Sequence, residues 1–142
     1  MSIQSILDSK GTTVITIRAT ETIKRAADRM RERAIAALVV KSGDEVTGLI
    51  SDREIINAIS LHGEAALSMP VADFATHASI TTSPDDSLRR AMSLMTNHRV
   101  RHLLVMADGK LVGIVSIGDV VKVRLETLET ETNVLRDALA AH

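Results

Sequence analysis

Two stretches decide the fold: residues 15–51, ITIRATETIKRAADRMRERAIAALVVKSGDEVTGLIS, and residues 80–116, ITTSPDDSLRRAMSLMTNHRVRHLLVMADGKLVGIVS. Laid over each other at a constant offset of 65 residues (116 − 51 = 65), without a gap, they agree at nine of 37 positions. The identical pairs are Ile15/Ile80, Thr16/Thr81, Arg25/Arg90, Ala26/Ala91, Met30/Met95, Leu38/Leu103, Val40/Val105, Gly48/Gly113 and Ser51/Ser116. Composition alone gives about two or three such matches. Where identity fails the apolar character persists, as in Ile23/Leu88, Ile35/Val100, Val39/Leu104, Val46/Leu111, Leu49/Ile114 and Ile50/Val115. A repeat that keeps its core pattern is one structural unit used twice. Two copies packed face to face leave a pair of related clefts, the usual place for small ligands.

Each copy reads as strand, helix, strand, strand, helix. Val14–Arg18 and Ser79–Thr82 are short β-rich runs. The helix after each has apolar residues at helical spacing: Ile23, Ala26, Ala27 and Met30 in one, Leu88, Ala91, Met92 and Met95 in the other. Ser83 followed by Pro84 is expected to cap the second of these helices, with proline in its first turn. Two apolar runs follow around a turn, Ala37–Val40 and Val46–Ile50 about Gly43-Asp44, then His102–Met106 and Leu111–Val115 about Asp108-Gly109. The last helices start near Asp52 and near Ile117. Residues 63–69 read as the linker.

The bulk composition fits one soluble α/β module. A chain of 142 residues with 45% hydrophobic content can bury a sizeable core. Seventeen basic against 18 acidic residues give a net charge of −1, so no global field draws nucleic acid or anionic membrane. The absence of cysteine removes disulfides, thiolate nucleophiles and thiolate metal sites together. Met1–Lys10 lacks the basic-then-apolar build of a signal peptide, and no apolar run approaches the roughly 20 residues of a membrane span, so a cytoplasmic location is expected. Phe74 is the only aromatic residue, which speaks against base stacking. Arg29, Arg31 and Arg33 form the densest basic patch, but alternate spacing spreads them around a helix, as on a solvated surface.

The order of elements, the repeat length, the Gly-apolar-apolar-Ser ending of the last strand and the phrase Arg99-Val100-Arg101-His102-Leu103 together resemble tandem CBS (cystathionine β-synthase) domains. The resemblance covers residues 5–125. It implies two β-α-β-β-α repeats packed as one pseudo-twofold module, over residues 5–62 and 70–125, with a C-terminal helical extension over 126–142. It further implies a free-standing bacterial regulatory protein, homodimeric, that binds adenosine-containing ligands in its clefts.

The chemistry is concentrated in Gly113-Ile114-Val115-Ser116-Ile117-Gly118-Asp119. Glycine allows close backbone approach, the Ser116 hydroxyl can donate to a phosphate, and a helix start presents N–H groups to an anion. The Asp119 carboxylate can accept the paired hydroxyls of a ribose. The alternative is that Ser116 caps its helix and Asp119 favours its positive end. The first copy, Gly48-Leu49-Ile50-Ser51-Asp52-Arg53-Glu54, departs from the pattern, because Glu54 stands in place of the aspartate. Ser51 and Glu54 form an S-x-x-E capping box that needs no ligand, or Glu54 holds a ribose from a shifted position. Arg53 either reaches a phosphate or is a solvated charge at a helix start.

In CBS proteins, basic residues at the places of Arg101 and His102 approach ligand phosphates; otherwise these two form a charged strand edge. His98 and His102 have the spacing of a helical metal pair, but a helix end and a strand start do not make one, and no metal is expected. Thr81 and Thr82, with Thr16 in the first copy, lie on the strand that would line an adenine, or are ordinary β-branched strand residues. Val121, Leu125, Leu128, Thr132, Leu135 and Leu139 are spaced as a heptad seam with one polar position, which either packs on its own module or pairs with a second chain, the dimer contact being the favoured expectation.

The expected function is therefore an adenine-nucleotide sensor whose occupancy is passed to an unidentified protein target through altered dimer shape. The motifs address the adenosine shared by AMP, ADP, ATP, NAD and S-adenosylmethionine. The alternative is a scaffold or dimerisation module with degenerate pockets. An enzyme ranks third, because no convergent set of acid and base groups is visible beyond the ribose-type acids.

Overall fold

The computed structural model describes residues 1–77 and 80–141. They form two compact units, one made of Thr13–Thr81 and the other of Met1–Thr12 together with Thr82 to the C-terminus. Each is described in turn.

In the first unit, β1 (Thr16–Arg18), α2 (Ile23–Arg33), β2 (Ala37–Ser42), β3 (Glu45–Ser51), α3 (Asp52–His62) and β4 (Thr76–His77) follow α1 (Ile3–Lys10), which belongs to the other unit. The sheet order is β1-β2-β3-β4, with β1 parallel to β2 and the other pairs antiparallel. β2 is covered on both faces, which is why Ala37, Leu38, Val39 and Val40 are a continuous apolar run rather than an alternating one. Ile17, Ile23, Ala26, Met30, Leu38, Val40, Ile50, Ile55 and Ala58 form its core. Residues 63–69, expected as a linker, are largely a 3-10 helix, Gly63–Ser68, whose Ala66 is buried in that core. The next short 3-10 turn, Val71–Asp73, adds Val71 to it.

The second unit repeats the plan with β5 (Thr81–Thr82, its first residue at the boundary), α4 (Leu88–His98), β6 (His102–Ala107), β7 (Lys110–Ser116) and α5 (Ile117–Ala140), in a sheet ordered β5-β6-β7. Ser79, where the expected strand began, lies outside the described residues, as does His142 at the end of the expected extension. The repetition extends to irregular details at the same offset of 65. Both hairpins shift register after Val40 and after Val105. Both first helices end on a non-glycine residue in the left-handed region, Ala34 (φ 53°) and Arg99 (φ 54°). The turns differ: Gly43 alone has positive φ in one, whereas Asp108 and Gly109 both do in the other, the pattern of a type I′ turn.

Ser83-Pro84 does not open α4. Ser87 is the N-cap, accepting from Arg90 N at 3.0 Å, just as Thr22 accepts from Arg25 N at 3.2 Å in α2. The Asp86 carboxylate collects Ser83 N–H (3.0 Å) and the Thr82 hydroxyl (2.8 Å), folding Ser83-Pro84 into a turn before the helix begins.

Each unit is completed by a segment that lies outside its repeat. In the first, Ile23 N donates to Met69 O (2.9 Å) and Val71 N to Glu21 O (2.7 Å). In the second, Leu88 N donates to Met1 O (3.4 Å) and Ile3 N to Asp86 O (2.9 Å). The helix starts are 65 residues apart (88 − 23) and the closing segments 68 apart (69 − 1), so Met1-Ser2-Ile3 stands to one unit as Met69-Pro70-Val71 stands to the other. Ile3, Ile6 and Leu7 are buried accordingly.

The two strand glycines test this difference in closure. A Cβ on Gly48 would fall on the backbone carbonyl oxygen of Thr76, whereas one on Gly113 would lie 2.7 Å from Leu7 Cδ2, the end of a flexible side chain. Gly48→Ala should therefore cost about 1–3 kcal/mol of unfolding free energy and Gly113→Ala under about 1 kcal/mol. Urea denaturation checks the order; a larger loss at Gly113 would contradict it.

Candidate functional site

Antiparallel register brings the predicted residues of the second unit to one strand end. His102 pairs with Ser116 across β6 and β7, and Ile117 N donates to Arg101 O at 2.9 Å, so Arg101, His102, Ser116 and the start of α5 share an edge. In the first unit the same positions pair Ala37 with Ser51 and join Asp52 N to Ala36 O at 3.1 Å. The backbone is the same; the basic pair is replaced by two alanines.

The two helix starts that follow these serines also differ in chemistry. Ser116 Oγ accepts from Asp119 N (3.1 Å) while Ser116 N donates to Asp119 Oδ2 (2.8 Å), a reciprocal capping box. That device was expected at Ser51 and Glu54, where it does not form. Ser51 makes no side-chain cap there, and its hydroxyl donates to Glu54 Oε2 at 2.5 Å instead. Both residues are buried. The Glu54 carboxylate is engaged by the Ser51 hydroxyl, whereas the Asp119 carboxylate is engaged by the Ser116 amide.

Asp119 has one partner that the sequence did not reveal. Lys10 Nζ, at the end of α1, lies 2.8 Å from Asp119 Oδ2 and donates to Ile114 O at 3.0 Å. Partial burial pushes the Asp119 carboxyl up, but the bonds from Lys10 and Ser116 and the Lys10 charge outweigh it, holding the group below the usual aspartate value. Only the echo of Met1-Ser2-Ile3 in Met69-Pro70-Val71, at its own offset, hints from sequence that α1 closes this unit.

The remaining predicted residues are placed as follows. Gly113 is buried under Leu7. Thr82 is buried with its hydroxyl given to Asp86, whereas Thr81 is exposed. Asp86 sits below the ordinary aspartate range, chiefly through the Ser83 N–H. Thr16 is exposed at the start of β1, and its carbonyl accepts from Arg29 Nη1 at 2.8 Å. Arg29 also reaches Glu21 Oε1 at 3.2 Å, so this member of the basic patch is a structural tie rather than a solvated charge. Arg53 is exposed at the start of α3. His98 ends α4 and His102 begins β6, and among the described residues no three His, Asp or Glu side chains gather as a metal site.

A strand-helix-strand-strand-helix unit occurs twice, ending each time in a Gly-apolar-apolar-Ser strand that runs into a helix, and defines a tandem-repeat module. The family description "CBS domain" matches residues 10–61 and 71–126. The chain belongs to the CBS-domain family. It is 34% identical over 130 residues to a mitochondrial CBS domain-containing protein of Arabidopsis thaliana, covering 85% of this chain and 63% of that one. A CBS domain-containing protein of Bacillus subtilis is 30% identical over 115 residues, 81% of each chain. A crystal structure of a CBS-domain containing protein from Agrobacterium tumefaciens superposes with a TM-score of 0.85 at 33% identity, covering 87% of this chain and 99% of the other.

The Asp119 cluster sets a pH dependence. A carboxylate whose folded pKa is depressed contributes stability that is present above its unfolded value of about 3.9 and is lost as pH falls through the folded value. Asp119→Asn should lower the melting temperature near neutral pH and make the acid limb below about pH 4 shallower than in the wild type. An acid limb of unchanged slope would show that Asp119 does not carry it.

Proposed function

We propose that this CBS module is a sensor of adenine nucleotides, with AMP, ADP, ATP and NAD as the candidate ligands, and that the second unit holds the principal site. The observation that carries the reading is the shared edge of Arg101, His102, Ser116 and Asp119. A helix start and a basic pair suit phosphate, and a carboxylate held ionised suits the ribose hydroxyls. Lys10 Nζ and Ser116 N both bond Asp119 Oδ2, and Oδ1 is the oxygen proposed for a ribose hydroxyl. The module binds its ligand and does not transform it, works as a homodimer, and passes occupancy to a protein target by a change of conformation.

The first unit supports a weaker site. Its Glu54 carboxylate is buried against Ser51, and alanines stand where the second unit has Arg101 and His102. Arg53 and Thr16 are its exposed polar groups. If both units behave this way, the module is a scaffold with degenerate pockets, and the same titration separates the two readings.

Adenine nucleotides should raise the melting temperature, by the equivalent of about 2.7 kcal/mol at 100 times Kd, and guanine and cytosine nucleotides should do so less. Hydrogen bonds to a charged group contribute about 1.5–3 kcal/mol, so Asp119→Ala should weaken AMP binding at least about tenfold. Glu54→Ala should change it by less than about threefold. Isothermal titration reads both variants; equal shifts with every nucleotide, or an Asp119→Ala variant that binds normally, would sink the proposal.

A further inference from the structure

The last helix leaves an apolar stripe in solvent. α5 runs from Ile117 to Ala140, 24 residues, and only Val120 in it is buried. From Leu128 onward every described residue is exposed. A helical end of this length is marginal in water unless something covers it, because isolated helices shorter than about 12–15 residues rarely hold. Its exposed residues are not arbitrary. Val121, Leu125, Leu128, Leu135 and Leu139, exposed by 44, 54, 43, 61 and 68%, alternate at spacings of four and three, with Thr132 filling the one remaining place.

We infer that a second copy of this chain covers the stripe, α5 against α5, as a parallel, in-register two-stranded coiled coil from Val121 to Leu139. This deepens the homodimer of the preceding reading and rests on it. In heptad terms Leu125, Thr132 and Leu139 occupy a, and Val121, Leu128 and Leu135 occupy d. The flanking g positions are then Arg124 and Glu131, and the e positions that follow them are Glu129 and Arg136. In a parallel pair each g residue faces the following e residue of the other helix. Arg124 thus meets Glu129 of the partner subunit, and Glu131 meets Arg136 of the partner subunit. Both contacts are attractive, and the twofold symmetry doubles each.

The polar layer agrees with this arrangement. Thr132 Oγ1 donates to Leu128 O at 2.9 Å, so its hydroxyl already has a partner within its own helix and can be buried without being orphaned. In register, Thr132 meets itself; any slip or reversal sets it against leucine. A single polar a position fixes register at some cost in stability.

The chain has no cysteine, so single cysteines report the geometry cleanly. Val121→Cys and Leu135→Cys, each made alone, should both give disulfide-linked dimers under mild oxidation. An antiparallel pair would hold each of these residues far from its own copy and link neither. Glu129→Arg with Glu131→Arg should raise the dimer dissociation constant at least about tenfold at low salt, and adding Arg124→Glu with Arg136→Glu should restore it to within about threefold. Sedimentation equilibrium reads these constants. A wild type that is monomeric at micromolar concentration overturns both the homodimer and the coiled coil. A dimer that neither crosslinks at these positions nor responds to the charge exchange overturns the coiled coil alone.

Discussion

Neither repeat closes itself. The first helix of each begins with backbone N–H groups that a helix cannot satisfy internally, and in each unit one of them is met by a carbonyl from a segment outside the repeat, Met69 O for Ile23 and Met1 O for Leu88. The same segments deliver Val71 to one core and Ile3, Ile6 and Leu7 to the other. Because a buried donor left without an acceptor costs about 1–3 kcal/mol, the position of these segments is part of what makes each unit a folded body. The chain therefore enters through the second unit, builds the first, and returns.

That route gives the helix starts after Ser51 and Ser116 different surroundings. In the second unit α1 runs past β7, sets Leu7 over Gly113 and places Lys10 on Asp119. In the first, the corresponding strand edge is occupied by β4, whose Thr76 carbonyl lies where a side chain on Gly48 would be, and whose Thr76 hydroxyl donates to Leu49 O at 3.1 Å. One glycine makes room for a strand and the other for a helix. The asymmetry continues in the side chains, with a carboxylate shared among a cap, a lysine and a strand end in one unit, and a glutamate turned onto its own serine in the other.

Most of the fold was legible because repetition at a fixed offset carries its own check. The hairpins at Gly43-Asp44 and Asp108-Gly109, both helices of each copy and the Ser51 and Ser116 helix starts all follow from aligning one copy with the other. What escaped has physical reasons. The closing segments repeat at 68 rather than 65, and they share little beyond an apolar pattern, so a gapless comparison passes over them. Ser83-Pro84 has the composition of a helix start, yet Asp86 offers its carboxylate to Thr82 and Ser83 and ties the pair into a turn, leaving Ser87 to cap α4. The S-x-x-E pattern named the wrong copy for the capping box, since at Ser51 the hydroxyl and the acid bond each other instead of the backbone.

The candidate site was legible in its residue types and not in its partners. Arg101, His102, Ser116 and Asp119 share an edge because antiparallel register requires His102 to face Ser116, a consequence available from the hairpin alone. Lys10 was not available in this way, since 109 residues separate it from Asp119. Asp119 is ionised near neutral pH by residue type alone, and Lys10 adds a partner that lowers its pKa further and ties α1 to the same carboxylate. On the proposed reading, the ionised carboxylate is the form that a ribose requires. A nucleotide at this edge would then touch the same carboxylate that holds α1 to the second unit, so that ligand recognition and the closure of the unit would meet at one side chain.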